Sequence, residues 1–139
     1  MRTLIGLQKS YTKRFESFEK LLSNLVKAND EDKTNIFVLS GIIMIFNLTF
    51  DLAWKLIKDV LKEDYGVLDF PAGSPRETLK RANSVNLISD ELWLDMLDDR
   101  NDLTHDYDFD LATEKCNTII NVYLPLLNDL KNKMAEKAE

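Results

Sequence analysis

Between residues 34 and 64 the chain carries one long apolar pattern that no proline or turn cluster interrupts. Ile36, Leu39, Ile43, Phe46, Phe50, Ala53, Ile57 and Val60 recur at steps of three and four, the period of an α-helix. Ile42, Ile45, Leu48, Leu52 and Leu56 add apolar positions off that line, so the helix is oily over more than one face. Such a helix is either enclosed by several neighbours or shared with another subunit. Running from a Thr34 N-cap to about Asp64, it would be roughly 45 Å long and would serve as the spine of a bundle. Its most apolar part, IFVLSGIIMIFNL at 36–48, is too short to cross a bilayer and reads as buried.

The remaining segments have the same period. Leu4, Leu7, Tyr11, Phe15, Phe18, Leu22 and Leu25 form a first stripe, closed by the polar stretch KANDEDKTN. Residues 65–75, YGVLDFPAGSP, are the main loop, and they end in a helix start: Ser74 as N-cap, Pro75 in the first turn and Glu77 three residues on. A short helix through Leu79, Ala82 and Val85 follows. Ser89 or Asp90 then caps another, with Trp93, Met96, Leu97 and Arg100 along one side. The last helix is expected from an Asp110 N-cap, carrying Ile120, Tyr123, Leu127, Leu130 and Met134, with Pro125 bending or interrupting it. The tail, 131–139, is expected to fray. With no β-alternation, glycine fingerprint or repeat, the expectation is a single all-α domain over 1–139, an up-and-down bundle of four to five helices.

Charge and cysteine content narrow the function. One cysteine, Cys116, excludes an internal disulfide and a Cys-rich zinc site. The N-terminus lacks the apolar run and cleavage site of a signal peptide, which places the protein in the cytoplasm, with no membrane role. A net charge of −6 argues against non-specific binding to nucleic acid, so any RNA role must rest on a local patch or a partner.

Chemistry concentrates in DDRNDLTHDYDFD, 98–110, which holds the only histidine and six aspartates. Arg100 and Asn101 fall at a helix end and His105 in the turn beyond, so a fold back of one turn brings them toward a common anion. Imidazole both takes and gives a proton near neutrality, and a guanidinium fork suits phosphate oxygens. An Arg–His pair without metal ligands matches phosphodiester cleavage by acid–base chemistry, with the RNA 2′-hydroxyl as nucleophile. Tyr107 shares a side with His105 if the segment is extended; otherwise it packs over the bundle end. Asp102 is a candidate to orient His105. Asp106, Asp108 and Asp110 imitate the start of a calcium loop, but Leu111 and Asn117 stand where its glycine and glutamate belong, so no metal site is assigned. Lys55, Lys58 and Lys62 form a basic stripe, extended after the loop by Arg76, Lys80 and Arg81. It is either a solvated face paired with Asp51 and Asp59 or a surface for RNA or a partner.

RNDLTHDY resembles the Arg-x4-His-x-Tyr motif of HepT-type HEPN proteins, with Arg100, His105 and Tyr107 at the defining positions. FNLTFDLAWKLIKDVLKEDYG, SPRETLKRA and LISDELWLDMLDDRNDLTHDY are similar to blocks of the nucleotidyltransferase substrate-binding branch of that family, in the same order, over about residues 10–128. The resemblance implies a homodimer whose Arg100 and His105 face a shared cleft. It implies a metal-independent RNase toxin that needs no cofactor of its own, in which Asn101 positions the phosphate. It also implies a minimal nucleotidyltransferase as antitoxin partner, using ATP and Mg²⁺ to place AMP on Tyr107. The aspartates flanking Tyr107 depart from what RNA attraction favours. The alternative is a non-catalytic substrate-binding subunit of a two-component nucleotidyltransferase, and a purely structural dimeric bundle ranks last.

Overall fold

The spine is helix α2, Ile36–Asp64. The structure, a computed structural model, describes residues 10–67, 74–89 and 91–138. Asn35, not Thr34, caps α2: its Oδ1 accepts the Phe37 N–H at 2.8 Å. Thr34 is held instead by Asp32, whose Oδ1 accepts both its N–H at 3.0 Å and its hydroxyl at 2.6 Å. Every position of the expected α2 stripe is buried except Ile36. By length and composition α2 could cross a membrane, because the apolar run extends well past residue 48. One side of it packs inside the bundle, where Leu39, Phe46, Phe50, Leu56 and Ile57 are all covered by the other helices.

Helix α1, Thr12–Val26, lies antiparallel to α2. At one end the Tyr11 hydroxyl donates to Asp64 at 2.7 Å and Arg14 pairs with Asp59. At the other, Leu25 and Ala28 line a groove shared with Val38 and Ile42. Leu4 and Leu7 lie outside the described residues.

The chain's last 30 described residues are one continuous helical rod: α5, Phe109–Thr118, a π-helical turn over Ile119–Tyr123, and α6, Leu124–Ala138. It runs parallel to α2. The Cys116 Sγ–H donates to the Leu39 carbonyl at 3.5 Å, the Tyr123 ring stacks on Phe46 at 5.8 Å, and Lys137 sits over Tyr65 at 5.0 Å. Pro125 does not end the helix, which continues through it to Ala138. Proline offers no N–H and crowds the carbonyl four residues back, and the π turn just before it relieves that conflict within the helix. The buried stripe is Ala112, Cys116, Ile119, Tyr123, Leu127, Leu130 and Met134, so Ile119 takes the inward position expected of Ile120. Buried Met134 also explains why the tail is helical to Ala138 rather than frayed.

Two shorter helices, α3 (Pro75–Ser84) and α4 (Leu92–Asp102), carry the chain back from the end of α2 to the start of α5. The Ser74 cap forms as expected, its Oγ accepting the Glu77 N–H at 3.3 Å. Helix α4 has no side-chain cap: it starts at Leu92, past Ser89, and Asp90 lies outside the described residues. Trp93, Met96 and Leu97 bury its inner face, with the Trp93 ring 6.5 Å from Phe50. Arg76 ties α3 to Asp98 of α4 at 2.6 Å. The protein is therefore an all-helical bundle of five packed rods, with no strand among the described residues.

Candidate active site at the end of α4

The last turn of α4 is fixed from below by buried Leu103, whose N–H donates to the Asp99 carbonyl at 2.9 Å. The chain then turns back at once, with the His105 N–H donating to the Asp102 carbonyl at 3.3 Å. This leaves His105 exposed directly beyond the turn that carries Arg100 and Asn101, as the spacing anticipated. Its imidazole makes no hydrogen bond or ion pair among the described residues. Asp102 meets His105 through its backbone; its carboxylate contributes charge near Lys115, so orientation of the imidazole by that carboxylate is not seen.

Arg100 leans from α4 onto α2. Its Nη2 donates to Asp51 Oδ1 at 3.3 Å, its Nη1 to Asn101 Oδ1 at 3.0 Å, and its guanidinium lies 6.0 Å from the Phe50 ring centroid. Nε is buried with no partner. An unsatisfied buried donor costs about 1–3 kcal/mol, and a native exception of this kind calls for an explanation such as a functional role. Asn101 thus acts first on Arg100, leaving its own amide N–H groups for a ligand.

Asp51 is the hub of this corner. Oδ1 also accepts from Trp54 Nε1 at 3.2 Å, and Oδ2 from Lys55 Nζ at 2.9 Å. Partial burial pushes the Asp51 carboxyl up. Hydrogen bonds from Lys55 and Trp54, with the charges of Lys55 and Arg100, outweigh that and hold it below the ordinary carboxylate value. Sequence assigns Asp51 to pairing on its own helix; the bond to Arg100, 49 positions away, has no signature in spacing. The one available signal is its place in the FDLAWK block.

Tyr107 is half-buried against the core edge, so the reading in which it packs over the bundle end holds in part. Its hydroxyl has no hydrogen-bond partner among the described residues. The aspartates have separate tasks. Asp98 pairs with Arg76, Asp99 pairs with Lys115 at 2.8 Å, and Asp108, not Asp110, caps α5 by accepting the Leu111 N–H at 2.8 Å. Asp110 lies in the first turn of α5, where the helix dipole favours it. Among the described residues no group of three or more His, Cys, Asp or Glu is placed to hold a metal ion.

The basic stripe divides. Lys55 joins the Arg100 corner through Asp51, Lys58 lies 5.8 Å over the Trp54 ring, and Lys62 is exposed. The lysines therefore do not form one uniform surface.

A helical bundle presenting an arginine fork at a helix end and a free imidazole in the turn beyond has the architecture expected of HEPN proteins. The family described as nucleotidyltransferase substrate binding protein like matches residues 13–136, and the chain belongs to it, the HepT-like branch of HEPN. No curated protein matches the chain significantly.

Proposed function

We propose that the protein is a HepT-like toxin: a cytoplasmic, metal-independent endoribonuclease that acts as a homodimer. A cognate minimal nucleotidyltransferase silences it by transferring AMP to Tyr107. The observation that carries this reading is the exposed, unbonded His105 ring directly beyond the helix turn from which the Arg100 fork is held. One imidazole takes the proton of the 2′-hydroxyl as that oxygen attacks the adjacent phosphorus. A second, protonated imidazole gives a proton to the departing 5′-oxygen, the P–O5′ bond breaks, and a 2′,3′-cyclic phosphate remains. Arg100 answers the charge growing on the phosphoryl oxygens, and the Asn101 amide positions the phosphate.

The chain has one histidine, so two imidazoles at one phosphate require two chains. A face for the second copy runs along α2. Phe37 is 83% exposed, Met44 60% and Leu48 50%, at spacings of one helix face that continues to Asp51 and so to Arg100. In silencing, the Tyr107 oxygen attacks the α-phosphorus of ATP and pyrophosphate leaves. The anionic adduct then sits two residues from His105 and repels RNA. The net charge of −6 and the exposed Asp106 favour a second reading, a non-catalytic substrate-binding subunit for the same partner.

Purified protein with EDTA should cleave RNA, and His105→Ala and Arg100→Ala should each lower the rate about 10²–10⁴-fold. Wild-type protein that leaves tRNA and mRNA intact defeats the ribonuclease reading and favours the second. With the neighbouring nucleotidyltransferase, ATP and Mg²⁺, intact mass should rise by one or more AMP groups. The same gain in Tyr107→Phe defeats Tyr107 as acceptor, and a monomeric sedimentation mass at micromolar concentration defeats the dimer.

A further inference from the structure

We propose that Asp51 is a positioning residue for RNA: its carboxylate holds the Arg100 fork and the Lys55 ammonium side by side, so that they receive neighbouring phosphates of one single strand. The inference rests on the ribonuclease reading and adds to it a second phosphate subsite and the group that builds it.

Three donors converge on this carboxylate. Buried Trp54 fixes its rotamer through the indole N–H at 3.2 Å, Arg100 takes Oδ1 at 3.3 Å, and Lys55 takes Oδ2 at 2.9 Å. Two cations are thus anchored to the two oxygens of one group. Their charges and that of Asp51 sum to one net positive charge, in a protein whose total is −6. Side-chain exposure rises from 25% at Arg100 through 34% at Asp51 to 41% at Lys55, so the arrangement opens outward. Arg100 keeps one N–H on each Nη beyond those given to Asp51 and Asn101. Those donors remain for phosphate oxygens. Arginine left to itself samples many rotamers; held by Asp51 and laid over Phe50, it is set in place before the substrate arrives. Lys58 and Lys62 have no link to Arg100 and stay outside the subsite.

The charge of Asp51 separates positioning from binding. Asp51→Asn keeps an oxygen acceptor for Trp54 but loosens its hold on both cations and raises the local charge by one. RNA binding should hold or tighten while kcat falls about 10²-fold, the scale expected when a reacting geometry slips. A merely structural lesion would weaken both together. Lys55→Gln should weaken binding and reduce the salt slope of binding by about one phosphate's worth, whereas Lys62→Gln should keep the wild-type slope.

The experiment measures cleavage of a short RNA and, in parallel, anisotropy binding of its uncleavable 2′-O-methyl form over a salt series. Wild-type kcat in Asp51→Asn, or matched losses of binding and cleavage, overturns the inference, as does an unchanged slope in Lys55→Gln. If wild-type protein does not cleave, the ribonuclease reading falls on its own. The 2′-O-methyl arm then decides the subsite: binding that tightens in Asp51→Asn and weakens in Lys55→Gln supports it, and binding equal across the three proteins removes it.

Discussion

Asp99 and Arg100 are neighbours on α4, yet they belong to two carboxylate-centred clusters of opposite character. Asp99 turns inward: it accepts the Tyr123 hydroxyl and the Lys115 ammonium, and its side chain is only 15% exposed. Asp51, which receives Arg100, also gathers a second cation, Lys55, and an aromatic donor, the Trp54 N–H, but it is 34% exposed. The donor chemistry is similar and the surroundings are not. In the closed cluster each charge has its partner, so the cluster braces α4 against the π turn. In the open one, two cations share one carboxylate, which is what makes it the candidate anion site. Accessibility, more than residue type, separates the brace from the candidate site.

Removing the closed hub should have the largest effect. Asp99→Ala leaves the Lys115 charge and the Tyr123 hydroxyl short of partners in a mostly dry site, and should destabilise the fold by about 3 kcal/mol in urea unfolding. A loss below about 1 kcal/mol would show that the cluster braces nothing.

Tyr123→Phe removes one partner only and should cost about 1–2 kcal/mol near neutrality. It should also change the alkaline limb. Burial first, then the bonds and charges of Asp64 and Asp99, hold the Tyr11 and Tyr123 hydroxyls above the ordinary 10.0. Unfolded tyrosine gives up its proton near pH 10 while these two keep theirs. The folded state then binds more protons, so stability is full below pH 10 and falls as pH rises beyond it, by about 1.4 kcal/mol per pH unit for each phenol. Tyr123→Phe should halve that slope; an unchanged slope would mean that Tyr123 is not held as described.

Asp51→Asn should have the smallest effect on folding, about 0.5 kcal/mol, because exposed ion pairs contribute little. A loss as large as that of Asp99→Ala would erase the distinction between the two clusters.

The long stripe of α2 and the Ser74–Glu77 cap were legible in sequence because helical period and capping are local. So were the helix end at Arg100 and the exposed turn at His105. Caps decided by competition between neighbours were not: Asn35 displaced Thr34 because Asp32 had already engaged the threonine, and Asp108 displaced Asp110. Pro125 announced a disturbance without its form, since a helix can widen by a π turn as well as break.

Sequence alone determined that the chain is helical, that α2 is its spine, and that Arg100, His105 and Tyr107 lie at the end of a helix and the turn after it. These follow from periods and spacings within a few turns of chain. Tertiary structure decided which aspartate meets which cation, that Lys55 stands with Arg100 while Lys62 stands apart, and that Tyr123 braces α4. Apart from the Lys55–Asp51 bond, one helical turn long, those pairings join residues far apart in sequence, and they arise only when packed helices bring their side chains within a few ångströms.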